Sequence, residues 1–242
     1  MRSKLCRTMV LSSLVLAFQV AIADEDSHNG EWSGSGQLGF SMTSGNSDTE
    51  SLTAGLLLER ESEQWVNNLN LDVVRASSDG KDTAERYTLS TRNGYKLDAN
   101  DYIYYNTRYD KDNFSGFDYT LTTSFGWGHQ FADTEDYKFS TEIGVGYKIE
   151  ALDADRTENT GAVAVGKLNY MRAITETMKF SEVLLVESGE DNTFVQNDMG
   201  FKFKINSQFS VKLAHQYRYN TDVVPGKVSH DSLVSANLVY DF

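Results

Sequence analysis

The residues best equipped for chemistry fall into three groups. The first is "VSHDS", which sets Ser229, His230, Asp231 and Ser232 side by side. These are the residue types of a nucleophile, a base and an orienting acid, but neighbours in one loop do not hold the mutual placement that such a triad needs. The remaining histidines, His28, His129 and His215, are scattered, and neither G-x-S-x-G nor H-E-x-x-H occurs. The expectation is a protein that is not an enzyme and uses no cofactor.

The second group is acidic: Asp48 and Glu50, Asp79 and Asp82, Asp153, Asp155 and Glu158, Glu190 and Asp191. All fall between regular segments, where charge keeps loops solvated. Carboxylates are also hard oxygen ligands, so divalent cations beside lipopolysaccharide are candidate partners. "DADRTEN" is too short and lacks the glycine for a calcium-binding helix–loop–helix. Ser44, Gly45 and Asn46 precede Ser47-Asp48, and Gly, Asn and Asp suit a hairpin loop because they tolerate positive φ.

The third group is larger and is defined by the elements that carry it. Segment after segment alternates apolar and polar residues with period two. "YKFSTEIGVGYKIE" sets Tyr137, Phe139, Ile143, Val145, Tyr147 and Ile149 against Lys138, Ser140, Glu142, Lys148 and Glu150. "FDYTLTTSFGWGHQF" sets Phe117, Tyr119, Leu121, Phe125, Trp127 and Phe131 against Thr120, Thr122, Ser124 and Gln130. About twelve such segments begin near residues 31, 49, 65, 84, 101, 117, 137, 160, 177, 193, 208 and 231. Each runs roughly 10–14 residues, beyond the 5–6 of a soluble strand and enough to cross a bilayer at a tilt. Longer polar connections follow odd segments and shorter ones follow even segments, as in barrels with short periplasmic turns. In "TMKFSEVLLVE", Glu182 shares the apolar parity, which requires a bulge or a lipid-side carboxylate.

Strands in hydrocarbon must pair every backbone group, so such a sheet closes on itself. The fold class expected is all-β: an antiparallel, up-and-down transmembrane barrel of about 12 strands over residues 31–242. Tyrosines and tryptophans near strand ends, among them Trp32, Trp65, Tyr95, Tyr102, Trp127, Tyr170 and Tyr240, fit interfacial girdles. The polar parity then puts Arg86, Arg92, Arg108, Glu142, Lys202, Lys204, Lys212 and Arg218 in the lumen, with Lys202, Lys204 and Lys212 near the periplasmic mouth. A soluble sandwich or lipocalin-like barrel is the competing reading, because alternation does not tell inside from outside.

Composition narrows the setting. Residues 1–23 combine Arg2, Lys4 and Arg7, an apolar run and Ala21-Ile22-Ala23, the pattern of a cleaved signal peptide. Residues 24–30 then form a short periplasmic lead. Cys6, the only cysteine, lies in the signal, so disulfides play no part in the mature fold. Its removal takes the formal net charge from −13 to −16, which argues against nucleic acid. Pro225, the single proline, implies long uninterrupted ladders.

The chain finishes on "LVSANLVYDF". Leu238, Tyr240 and Phe242 resemble the C-terminal signature through which outer-membrane proteins engage the barrel-assembly machinery, offering a strand edge and an aromatic anchor. "GQLGFSMTSGNSDTESLTAGLLLER", residues 36–60, the spaced strands after it and the "LVYDF" terminus together resemble the bacterial family of salt-induced outer membrane proteins. The resemblance covers the expected mature chain and implies an outer-membrane location among lipids and lipopolysaccharide. It implies no activity. The functional expectation is a narrow channel for small solutes or ions, or else a non-conducting barrel supporting the envelope under salt or osmotic stress. A lipid-modifying enzyme is the minor alternative.

Overall fold

Period-two alternation with proline confined to one loop is what a continuous hydrogen-bonded ladder requires, and twelve strands form. The computed structural model describes residues 30–43, 49–152 and 157–242. The expected leader 1–23 and the Ser44, Gly45, Asn46 loop lie outside the described residues. The strands are β1 (Trp32–Thr43), β2 (Thr49–Glu61), β3 (Trp65–Ser78), β4 (Lys81–Lys96), β5 (Asp101–Asp112) and β6 (Phe117–Asp133). They continue as β7 (Tyr137–Leu152), β8 (Glu158–Thr175), β9 (Met178–Gly189), β10 (Thr193–Lys204), β11 (Phe209–Asn220) and β12 (His230–Asp241). Every neighbour pairs antiparallel, and β1 meets β12 to close the barrel.

The starts lie within three residues of those expected, but the strands are longer, 12 to 18 residues. They extend into what read as loops, so the asymmetry between the two ends shrinks. "SSDGKD" reduces to the two-residue turn Asp79-Gly80, whose φ values of 49° and 74° are those of a tight hairpin. Only 221–229, which holds Pro225, remains a long connection among those described in full. Register shifts fall near strand ends, at Ala76/Ser77, Asp110/Asp112, Phe117/Tyr119, Gln130/Ala132 and Ala173/Thr175. The central register, which decides what faces inward, is unbroken.

Exposure tells inside from outside. Large apolar side chains stand bare on the outer wall, Phe125 at 64% and Ile143 at 63%, with Leu38, Phe40, Leu89, Ile103, Leu213 and Val234 also exposed. The buried set is largely polar and includes Arg108, Asp110, Thr122, Ser124, Glu142, Lys148 and Glu187. A lipocalin-like barrel has the opposite arrangement. An apolar outer wall over an ionic interior is stable only where hydrocarbon covers the wall. Trp65 packs edge-on against Tyr95, ring centroids 5.0 Å apart, and Tyr137 against Tyr170 at 5.7 Å, as belts of interfacial rings do. Tyr102 departs from that expectation. It turns inward, because its parity on β5 is that of Arg108 and Asp110.

Candidate functional site

Among the described residues, buried charged side chains converge in the lumen. Alternation directs them inward and the closed ring gives them nowhere else to go, so each needs a partner inside. They sort into two tiers.

The outer tier spans the barrel. Arg108 on β5 pairs with Asp110 at 2.7 Å and donates to Gln196 on β10 at 2.7 Å. Arg218 on β11 donates to the same Asp110 at 3.2 Å and approaches Asp112 at 3.7 Å. Thr88 also donates to Asp110, at 2.8 Å. Arg86 on β4 bonds Gln216 on β11, and both Gln196 and Gln216 donate to Asp198, at 2.6 and 2.7 Å. Between the guanidiniums lies the ring of Phe194, 4.9 Å from Arg108 and 5.0 Å from Arg218. That geometry lets one aromatic ring contact two cations in a desolvated site. Above it opens a vestibule lined by Asp110, Asp112, Glu150, Glu187 and Asp231 against Lys148 and Arg218.

The inner tier sits in the half of the barrel nearer the start of β1 and the end of β12. Arg92 on β4 reaches Glu142 on β7 at 2.5 Å, and the Tyr102 hydroxyl donates to the same carboxylate at 3.0 Å. The guanidinium lies over both Tyr102 and Tyr104, 5.0 and 5.8 Å from their ring centres. Glycine makes the room. A Cβ at Gly128 would collide with the Tyr102 ring, and one at Gly144 would meet the Tyr104 hydroxyl at 2.5 Å. Lys167 stands across the β7–β8 ladder from Glu142 and makes no ion pair among the described residues.

Nearer the mouth where the chain ends, Lys202 stands opposite Lys212 in the β10–β11 ladder, and its charge is met by Asp241 on β12, at 2.7 and 2.8 Å. Lys204 is exposed at the rim. The expected inward charges therefore all take the inner parity. Arg86, Arg108 and Arg218 gather in the outer tier, Arg92 and Glu142 in the inner one, and the three lysines stay apart from both. Sequence reading overlooked Phe194, Gln196 and Gln216, which lie on the polar parity of their strands, and Lys167, whose parity in β8 also carries Val163 and Val165. Phe194, an aromatic on the polar parity, was the available signal.

The remaining candidates do not assemble a reactive site. His215 Nε2 and Ser232 Oγ lie 2.9 Å apart on the outer wall, and among the described residues no carboxylate or amide orients that imidazole. His230 stacks on Tyr217. No three acidic, histidine or cysteine side chains converge as a metal site among the described residues. Of the acidic residues expected in loops, Asp82 falls within β4 and Glu158 opens β8, because the strands run further than the alternation suggests; Asp82 pairs with Arg75 at 3.5 Å and Glu158 accepts from Tyr119 at 2.8 Å.

Leu238, Tyr240 and Phe242 all point outward. The Phe209 ring tilts against Tyr240, and Tyr240 stacks on Phe242, with centroids 5.1 and 5.9 Å apart. Gly34 and Phe242 exchange backbone hydrogen bonds of 2.8 and 2.9 Å, which seal the base of the β1–β12 seam.

A closed twelve-stranded antiparallel barrel with an apolar exterior and an ion-paired lumen has the architecture of bacterial outer-membrane proteins. The chain belongs to the DUF481 family, described as a protein of unknown function, whose model matches residues 36–242. It is 23% identical over 184 residues to the uncharacterized protein YdiY of Escherichia coli K12, covering 76% of this chain and 72% of that protein. In fold it is similar to the COG4313 outer membrane channel from Pseudomonas putida F1. The TM-score is 0.52 at 12% identity, over 91% of this chain and all of the other.

Proposed function

We propose that this protein is an outer-membrane barrel carrying small solutes or ions along a narrow, charge-lined path that its own side chains close at rest. One observation carries the reading. The contacts that bridge the lumen, Arg108–Gln196, Arg218–Asp110 and Arg92–Glu142, are all made between side chains of strand residues. Rotamer changes alone therefore open them, and such changes are fast. An acidic vestibule leads down to the closure from outside. The Pseudomonas putida protein of similar fold is an outer membrane channel, which supports the same reading.

Conductance of the refolded protein in a planar bilayer tests this. The expected result is small unitary currents that enlarge in Arg108→Ala/Arg218→Ala, with ion selectivity shifted in Lys202→Glu/Lys204→Glu/Lys212→Glu. Silence from folded wild type and folded Arg108→Ala/Arg218→Ala would overturn it. The barrel would then be a structural component supporting the envelope under salt or osmotic stress, the reading that its wall-to-wall packing otherwise favours.

A further inference from the structure

The inner tier holds more donors than acceptors. Glu142 is its carboxylate, almost wholly buried, and one of its oxygens already accepts from both Arg92 Nη2 and the Tyr102 hydroxyl. Among the described residues, two polar atoms beside it have no partner: Arg92 Nε and the hydroxyl of Tyr104, a residue only 4% exposed. Lys167 adds a second cation without an ion pair. All three residues adjoin Glu142 or its inward neighbour on β7. The Tyr104 hydroxyl rests against Gly144, the next inward position on β7 after Glu142, and Lys167 is the ladder partner of Glu142.

Buried donors are rarely left unmet, because each forfeits its bond to water on burial. Here two cations flank one carboxylate, so the shortage is of negative charge as well as of acceptor atoms. Gly128 and Gly144 carry no side chains, and the space they leave holds the Tyr102 ring and the Tyr104 hydroxyl, which sets both beside Glu142. The cluster is thus short of one small group bearing negative oxygens.

We propose that Arg92, Tyr104 and Lys167 form a binding site in the inner half of the lumen for a small oxyanion, a carboxylate or a phosphate. Glu142 is the tethered competitor of that ligand. It holds Arg92 when the site is empty, and the arriving oxyanion takes up Arg92 Nε, the Tyr104 hydroxyl and the Lys167 ammonium. Guanidinium suits this role because its planar fork matches carboxylate and phosphate oxygens. The carboxylates of the outer vestibule repel the same ion, so the site loads from the periplasmic side. This names the solute class of the proposed path and rests on that reading only for transport, since binding requires no conduction.

The test is calorimetric titration of the refolded, full-length protein in detergent with sodium acetate and, separately, inorganic phosphate, at constant ionic strength. Each variant is first shown to be folded by its heat-dependent shift on a denaturing gel. Wild type is expected to bind one of the two saturably, and the one bound identifies the ligand's chemistry. Lys167→Gln is expected to weaken binding about tenfold, and Tyr104→Phe, which removes only a hydroxyl, about threefold to fivefold. Glu142→Gln is expected to tighten it, because the internal competitor loses its charge; a purely structural Glu142 predicts no gain. No saturable binding of either anion by wild type and Glu142→Gln would overturn the proposal and leave water as the partner of these donors. So would an affinity indifferent to Lys167→Gln. Binding without current would sink the channel reading and keep the site, and current without binding would do the reverse.

Discussion

Arg218 on β11 and Asp110 on β5 meet at 3.2 Å from opposite sides of a ring of twelve strands. Asp110 also neutralises Arg108, so one carboxylate holds two guanidiniums in a buried tier. Asp110→Ala leaves both cations without it. The expected loss is about 3–5 kcal/mol, the scale for stranding a buried charge. It should appear as an earlier urea midpoint of the refolded barrel, partly restored in Asp110→Ala/Arg218→Ala. An unchanged midpoint would mean that water already solvates this tier.

The seam between β1 and β12 is the shortest ladder in the wall, running from Ser35↔Asp241 to Leu38↔Leu238. Above it, Thr53 on β2 donates to Asn237 on β12 at 2.5 Å, passing inside β1 at Gly39. The absence of a side chain at Gly39 is what lets this bond form, since a Cβ there would strike both partners and the Ala236 carbonyl. Gly39→Val should cost about 1–3 kcal/mol through the lost bond and the displaced strand. Thr53→Val removes the bond without the clash and should cost less. The gel temperature at which the folded band disappears reports both, and equal effects would refute the steric part.

The wall was far more legible than what fills it. Alternation located β1 to β12 because hydrocarbon outside and water or ions inside impose opposite chemistry on successive residues. The sign of Tyr102 was misread because an aromatic near a strand end suits a girdle as well as a lumen. β8 inverts the rule locally, with Val163 and Val165 buried inside. The tiers were out of reach. That Arg92 meets Glu142, or Arg218 meets Asp110, depends on strand number, tilt and closure, and no local spacing encodes them.

Asp98 lies in the turn between β4 and β5, where its carboxylate accepts from the backbone N–H groups of Asn100 and Asp101, both at 2.8 Å. Those bonds favour the charged form and lower its pKa below the ordinary 3.8. A depressed folded pKa contributes stability that is fully present above the unfolded value and is lost as pH falls through the folded one. The stability difference between wild type and Asp98→Asn should therefore be constant above about pH 5 and shrink at lower pH, below about 4. A difference independent of pH down to about 2 would show that these bonds do not depend on the charge.

Phe242 does two jobs at the seam. Its backbone exchanges two hydrogen bonds with Gly34, and its ring stacks on Tyr240. Phe242→Ala keeps the first and loses the second, whereas deleting the residue loses both. If Leu238, Tyr240 and Phe242 also serve recognition during assembly, Phe242→Ala should lower the folded yield in cells while leaving refolding into detergent nearly unchanged. Equal loss in both settings would assign the residue to stability alone.

Glu182 sits on the outer wall of β9, on the parity of Phe180 and Leu184, with no bulge at that point in either ladder. Its carboxylate is held by Asn197 on β10, whose amide donates at 2.9 Å. In hydrocarbon the pair is tolerable because each group satisfies the other, and an unbonded carboxylate is a far greater liability there than an unbonded amide. Asn197→Leu should therefore destabilise the barrel by about 1–3 kcal/mol, the cost of leaving Glu182 unbonded. Glu182→Leu removes the charge itself and should stabilise by about 1 kcal/mol in lipid, since acidic groups cost less there than Arg or Lys. The double variant should exceed wild type. Equilibrium unfolding in lipid vesicles separates these outcomes. Destabilisation by Glu182→Leu as large as that by Asn197→Leu would mean that this stretch of wall faces polar groups instead of acyl chains.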